Sequence, residues 1–147
     1  MVDRDLLAAK LSELADRAGR VRRHCPPTAA ELGRDRDRLD LVSFNLMLAV
    51  QVCLDVASHL IADEGWPAAA DLAGSFARLR EQDVISPATA EALARAAGLR
   101  NVVAHVYGRV DAALVFRAAT DGLADLERFA AEVAAWAEAQ PQQETGR

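Results

Sequence analysis

Four polar residues crowd one short stretch of a chain that is otherwise rich in Ala, Leu and Val. They are Arg100, Asn101, His105 and Tyr107, within RNVVAHVY at residues 100–107. Their types suit chemistry at an anionic centre. The planar guanidinium of an Arg offers paired N–H donors to phosphate oxygens and to the charge that builds on them in a transition state. A His titrates near neutrality, so it can take a proton from an attacking group or give one to a leaving oxygen. An Asn beside the Arg can orient the site by hydrogen bonding. A Tyr near a helix end, followed by Gly108, adds a phenolic hydroxyl to the group. The plainer alternative is a solvated helix face carrying an incidental His.

No metal or cofactor is expected in that chemistry. His24, His59 and His105 form no metal-ligand motif, and Cys25 and Cys53 lie far apart without partners at metal-ligand spacing. The two cysteines read as idle thiols of a reducing cytosol, so a cytoplasmic location is expected. The N-terminus MVDRDLLAAKL carries acids early and lacks the apolar run of a secretion signal. The net charge of −5 argues against broad, non-specific nucleic-acid binding, although a local basic cleft is compatible with it. Sixteen of the seventeen basic residues are Arg, a side chain suited to phosphate recognition but also frequent in GC-rich coding sequences.

The elements that must position these residues are helical throughout. Leu7, Leu11, Leu14, Ala18 and Val21 step by four and three, predicting a helix over 4–23 that Pro26 and Pro27 stop. Thr28 and Glu31 form a capping-box pattern that opens a short turn. A long, mostly apolar helix follows over about 36–63, ending at Gly65, Trp66 and Pro67, and it must lie at the centre. Its residues Gln51, Asp55 and His59 argue for a buried core helix rather than a membrane span. Asp40, Ser43, Gln51, Asp55 and His59, interrupted by Met47, trace one polar stripe facing water, a cleft or a partner. Asp55 and His59, one turn apart, are placed to pair.

Leu72, Phe76 and Leu79 predict a helix over about 68–81. Ser86 and Pro87 then open another that runs to about 106 and carries the polar stretch near its end. Asp111 begins the last segment, whose buried stripe is Leu123, Leu126, Phe129, Val133 and Trp136. The fold class is therefore all-α, an up-and-down bundle of about five helices in a single domain over 1–140, with 141–147 a disordered polar tail. The arginines at 17, 20, 22, 23, 34, 36 and 38 are interleaved with Asp35 and Asp37 and read as a solvated face.

Arg100, His105 and Tyr107 together complete an R-x4-H-x-Y pattern. It resembles the signature of the HepT-like proteins, a branch of the HEPN superfamily of small helical RNases, which often place a polar residue where Asn101 stands. AVQVCLDVASHLIADEGWP, FARLREQDVIS, YGRVDAALV and DLERFAAEV also look like successive parts of that family, over roughly residues 36–136. The resemblance implies a homodimeric, metal-independent endoribonuclease without cofactor. Arg100 would stabilise the phosphate, His105 would handle protons, and Asn101 would support them. It also implies that the chain is the toxin of a type VII toxin–antitoxin pair. The antitoxin would be a minimal nucleotidyltransferase that transfers AMP onto Tyr107, and the added phosphate and bulk would exclude RNA.

On an ideal helix, positions five apart point about 140° from each other. Arg100 and His105 therefore do not share one face. Either the helix end is distorted near Gly108 or a second chain completes the cleft, as the resemblance implies. The alternative reading is a non-catalytic helical adaptor that binds a minimal nucleotidyltransferase and presents substrate to it.

Overall fold

The structure, a computed structural model, describes residues 1–105 and 111–142, and the side chains of all of these except 102–105. Tyr107 and residues 143–147 of the expected tail lie outside the described residues. The elements are α1 (Arg4–His24), α2 (Ala29–Arg34), α3 (Arg36–Asp63), α4 (Gly74–Glu81), α5 (Pro87–His105), α6 (Ala112–Arg117), a π turn (Ala118–Gly122) and α7 (Leu123–Ala139). The last three run on with helical backbone, so they form one rod with a bulge. The result is the expected all-α bundle of five long helical segments with α2 as a short extra turn.

Local chemistry sets where each helix begins. The side chains of Asp3, Thr28, Asp35 and Asp111 accept from the backbone N–H of Leu6, Glu31, Arg38 and Ala113, satisfying donors that the first helical turn leaves open. Ser86 does the same for Thr89, confirming the expected start of α5. Charged residues alternate with the caps but do not drive the fold. Burial does, with one contiguous apolar core that draws on every helix.

α3 is the centre of that core. By length and composition it could cross a membrane, yet 61% of its most apolar window is buried inside the bundle. α1, α4, α5 and α7 all pack against it, and α4 also packs on α5. Phe76 of α4 and Phe129 of α7, both fully buried, meet edge to face with ring centroids 5.7 Å apart.

Two expectations are corrected. α4 starts at Gly74 rather than near residue 68, and Leu72 is half exposed rather than a core position. Gly65 leaves α3 in the left-handed region at φ 66, and Asp71 Oδ1 then accepts from Gly74 N at 2.7 Å, so the helix begins only after that turn. A Cβ at Gly74 would lie 2.9 Å from the same Asp71 oxygen, which is why a glycine occupies this start. The second correction concerns the last rod. Its buried stripe is Val115, Ala119, Leu123, Leu126, Phe129, Val133 and Ala137, while Trp136 is only partly buried, edge-on to Trp66 at 5.8 Å. The inserted residue of the π turn re-phases the stripe. Thr120 Oγ1 reinforces the bulge by donating to the carbonyls of Phe116 and Arg117.

Candidate active site

α5 delivers the first of the predicted site residues. Capped by Ser86 at one end and packed on α3, α4 and α7, it carries Ala92, Arg95, Ala96, Leu99 and Arg100 along a single wall. That wall faces Ser43, Leu46, Met47 and Val50 of α3, while Leu114, Ala118 and Gly122 of the α6–π turn close the third side. The space between them is a cleft of about 400 Å³, within the range of small-ligand sites. Its walls are mostly apolar. Arg95, Arg100, Arg117, Asp121 and Asp125 supply the charges.

The charges are not evenly matched. Asp125 already pairs with Arg128 at 3.2 Å. Among the described residues, none of Arg95, Arg100 and Arg117 forms an ion pair or a side-chain hydrogen bond. Three guanidinium groups are therefore gathered at an apolar cleft on an acidic protein, the local basic feature that the overall charge left open.

Of the predicted site residues, the described structure places Arg100 alone at the cleft. Arg100 is half-buried and lines the cleft; Asn101 is exposed. His105 is the last residue of α5, five positions beyond Arg100, and only its backbone is described. Tyr107 lies outside the described residues. Arg95 and Arg100 are also five apart on α5, and both reach the same cleft, because long side chains leaning from either edge of the Ala92–Ala96–Leu99 stripe converge on a space this wide.

Several expectations about the neighbouring polar residues are refined. Asp40, Gln51, Asp55 and His59 do face outward, whereas Ser43 is 6% exposed and turned into the cleft wall. Asp55 does not pair with His59; it accepts from Gln51 Nε2 at 2.9 Å and pairs with Lys10 at 3.6 Å, tying α3 to α1. The arginines of α1 and α3 are largely engaged. Arg17 donates to Asn45, Arg20 pairs with Asp16, Arg22 with Glu127, and Arg38 with Asp35. Among the described residues, no cluster of three or more His, Cys, Asp or Glu could hold a metal. Ser43 belonged to the polar stripe read from the sequence, and of that stripe's alternatives it meets a cleft, whereas Arg95 and Arg117 were not singled out. Arg95 lay on a readable helical face, but nothing in the sequence announced the π turn that brings Arg117 round.

The "Ribonuclease HepT-like" family profile matches residues 14–133, most of the chain. The chain belongs to the HepT-like ribonuclease family. A proposed RNase of Archaeoglobus fulgidus is 37% identical to this HepT-like chain over 86 residues, 58% of the chain and 64% of the relative. The mRNA nuclease HepT of Shewanella oneidensis is 27% identical over 90 residues, 61% of the chain and 68% of the relative. The matches therefore span only about two thirds of the length of these curated relatives. Among solved structures, a tri-AMPylated Shewanella oneidensis HEPN toxin in complex with an MNT antitoxin superposes with a TM-score of 0.82 at 22% identity, covering 92% of this chain and 99% of that one. A toxin–antitoxin structure with AMP-PNP gives 0.83 at 21% identity, covering 89% and 98%. At these identities the likeness establishes the HEPN-type fold of the HepT-like chain.

Proposed function

We propose that this chain is a metal-independent endoribonuclease and the toxin of a toxin–antitoxin pair. The observation that carries the reading is Arg100 at a cleft with two further arginines and no carboxylate partner of its own among the described residues. The reaction needs no ion. The ribose 2′-hydroxyl attacks the adjacent phosphorus, and the bond to the 5′-oxygen breaks, leaving a cyclic phosphate and a free 5′-hydroxyl. Arg100 stabilises the charge on the phosphorane-like transition state, and His105 moves the proton at the attacking or the leaving oxygen. Asn101 supports the site by hydrogen bonding.

The working unit in this reading is a cytoplasmic homodimer of the 1–140 domain. Leu41 and Phe44, one turn apart on α3, are 44% and 52% exposed, an apolar surface that a second copy would cover. Two copies of the Arg100–His105 pair then face one groove. The cognate nucleotidyltransferase silences the pair by transferring AMP from ATP onto the Tyr107 hydroxyl, placing a phosphate and a nucleoside beside the site.

Cleavage of single-stranded RNA in the presence of a chelator tests the reading. Wild type cleaves, and Arg100→Ala and His105→Ala each lose about 10²–10³ in rate, the loss expected when one transition-state contact is removed. Both variants also relieve growth arrest on expression in bacteria. If both stay active with the fold intact, the assignment of these residues is wrong. Were the chain instead a non-catalytic adaptor, wild type alone would neither cleave RNA nor arrest growth. Co-expression with the nucleotidyltransferase should add one AMP mass to the Tyr107 peptide.

A further inference from the structure

The arginines account for only part of the cleft. Leu46, Val50, Ala96 and Leu99 give it apolar walls, and Ser43 is part of the same lining. The Ser43 hydroxyl is hidden from solvent and has no hydrogen-bond partner among the described residues. A buried polar atom without a partner is uncommon in a native protein and calls for an explanation. The opposite wall is the π turn, a local helix irregularity often found at functional sites. There the rod presents Ala118 and Gly122, whose small size keeps the cleft open.

We infer that this cleft is a base-recognition pocket. It would take one nucleobase from single-stranded RNA, splayed out beside the phosphate held by Arg100, with Ser43 reading the edge of the base. The inference rests on the nuclease reading and extends it to substrate selection. A flat, largely apolar body with polar edges and an anionic tail matches this distribution of chemistry. The ring lies between aliphatic walls, and its phosphates meet Arg95, Arg100 and Arg117 at the edge. The volume of about 400 Å³ suits one nucleotide and not a duplex. An apolar protein side chain would fill the cleft but would leave three guanidinium groups facing only Asp121 and the already paired Asp125. Ser43 reaches the base by turning about its single side-chain torsion, which exchanges the hydroxyl among three staggered positions.

The test compares Ala96→Leu, Ala118→Leu and Ser43→Ala with wild type, none of them in the proposed catalytic pair. Cleavage is measured on short single-stranded RNAs that differ in one base beside the cut. Each Leu variant fills the cleft and should lower kcat/KM at least about tenfold, mostly through KM, since the contact is made equally in ground and transition states. Ser43→Ala should change the preference among the four bases by about tenfold, the scale of one hydrogen bond in a dry pocket. Two Leu variants on separate walls guard against one failing to fold, and thermal melting identifies the folded ones. If the folded Leu variants and Ser43→Ala all keep wild-type kcat/KM and base preference, the base binds elsewhere and the inference is overturned. If wild type does not cleave RNA at all, the nuclease reading has failed separately. Titration with each of the four ribonucleoside 5′-monophosphates then decides: binding that the Leu variants weaken upholds the pocket, and no wild-type binding at millimolar concentration refutes it.

Discussion

Thr89 anchors the helix that carries the site. It is fully buried, its Oγ1 accepts from Arg128 Nε at 2.8 Å, and it shares a hydrogen bond with Ser86 Oγ at 3.0 Å. The arrangement clamps the start of α5 to α7. Thr89→Val keeps the shape and removes the acceptor. A hydrogen bond to a charged donor contributes about 1.5–3 kcal/mol, but the Arg128 side chain is 45% exposed and also paired with Asp125, so water recovers part of the loss. The new methyl group, placed where nothing is exposed, returns up to about 0.8 kcal/mol of apolar burial. The Ser86 hydroxyl keeps its bond from Thr89 N and loses only its side-chain partner. The net destabilisation should be about 1–2 kcal/mol, a fall in Tm of roughly 3–6 °C for a chain of this size.

Urea denaturation of wild type, Thr89→Val, Arg128→Met and the double variant measures it. The two changes should not add; the coupling should be about 1 kcal/mol, well above the few tenths seen for independent sites. Arg100 lies eleven residues further along α5, about 16 Å away at the helical rise, so cleavage per folded molecule should not change. Strict additivity, or a neutral Thr89→Val, would show that the clamp contributes nothing and that α5 is held by apolar packing alone.

Further outcomes are expected. Cys53 is fully buried, and burial holds its thiol far above the ordinary range, whereas Cys25 is raised less strongly by its partial burial. Cys53 should therefore resist thiol reagents in the folded protein and react at once in denaturant. Its folded pKa is raised, so the stability it contributes is complete below the ordinary thiol pKa and is lost as pH climbs from there toward the folded value. A denaturation series from pH 7 to 10 should show stability falling at the alkaline end, and Cys53→Ala should flatten that fall. Phe129→Ala should cost about 3–5 kcal/mol by opening a cavity beside Phe76, and a calorimetric Tm within error of wild type would refute the core position. In the proposed dimer, Phe44→Glu should shift the mass toward that of the 15.8 kDa monomer in light scattering; an unchanged dimeric mass would place the face elsewhere, and a monomeric wild type would refute the dimer.

Much of the fold was legible because the information was local. Helix starts follow from single side chains within three residues of the N–H groups they satisfy, and Thr28, Ser86 and Asp111 were readable that way, while Asp3 and Asp35 act as caps that the sequence reading had not named. The spacing of Leu7, Leu14, Ala18 and Val21 set the buried face of α1 from sequence alone. Arg100 and His105 stood out as candidates through the R-x4-H-x-Y pattern, and of the two only Arg100 has a described side chain, at the cleft.

Tertiary structure decided the rest, where the deciding atoms are far apart in the chain. Asp55 could have met His59 one turn away, but α1 brought Lys10 to it instead. Ser43 belonged to a polar stripe that could face water, a cleft or a partner, and the packing of α5 and the last rod against α3 made it part of a cleft wall. A π turn needs one residue more than the regular repeat and leaves no mark in composition, so the re-phased stripe and the approach of Arg117 appeared only with the packed rod. Periodicity determines which face of a helix is apolar. What that face meets, and which polar groups are shut in with it, is settled by the whole core closing at once.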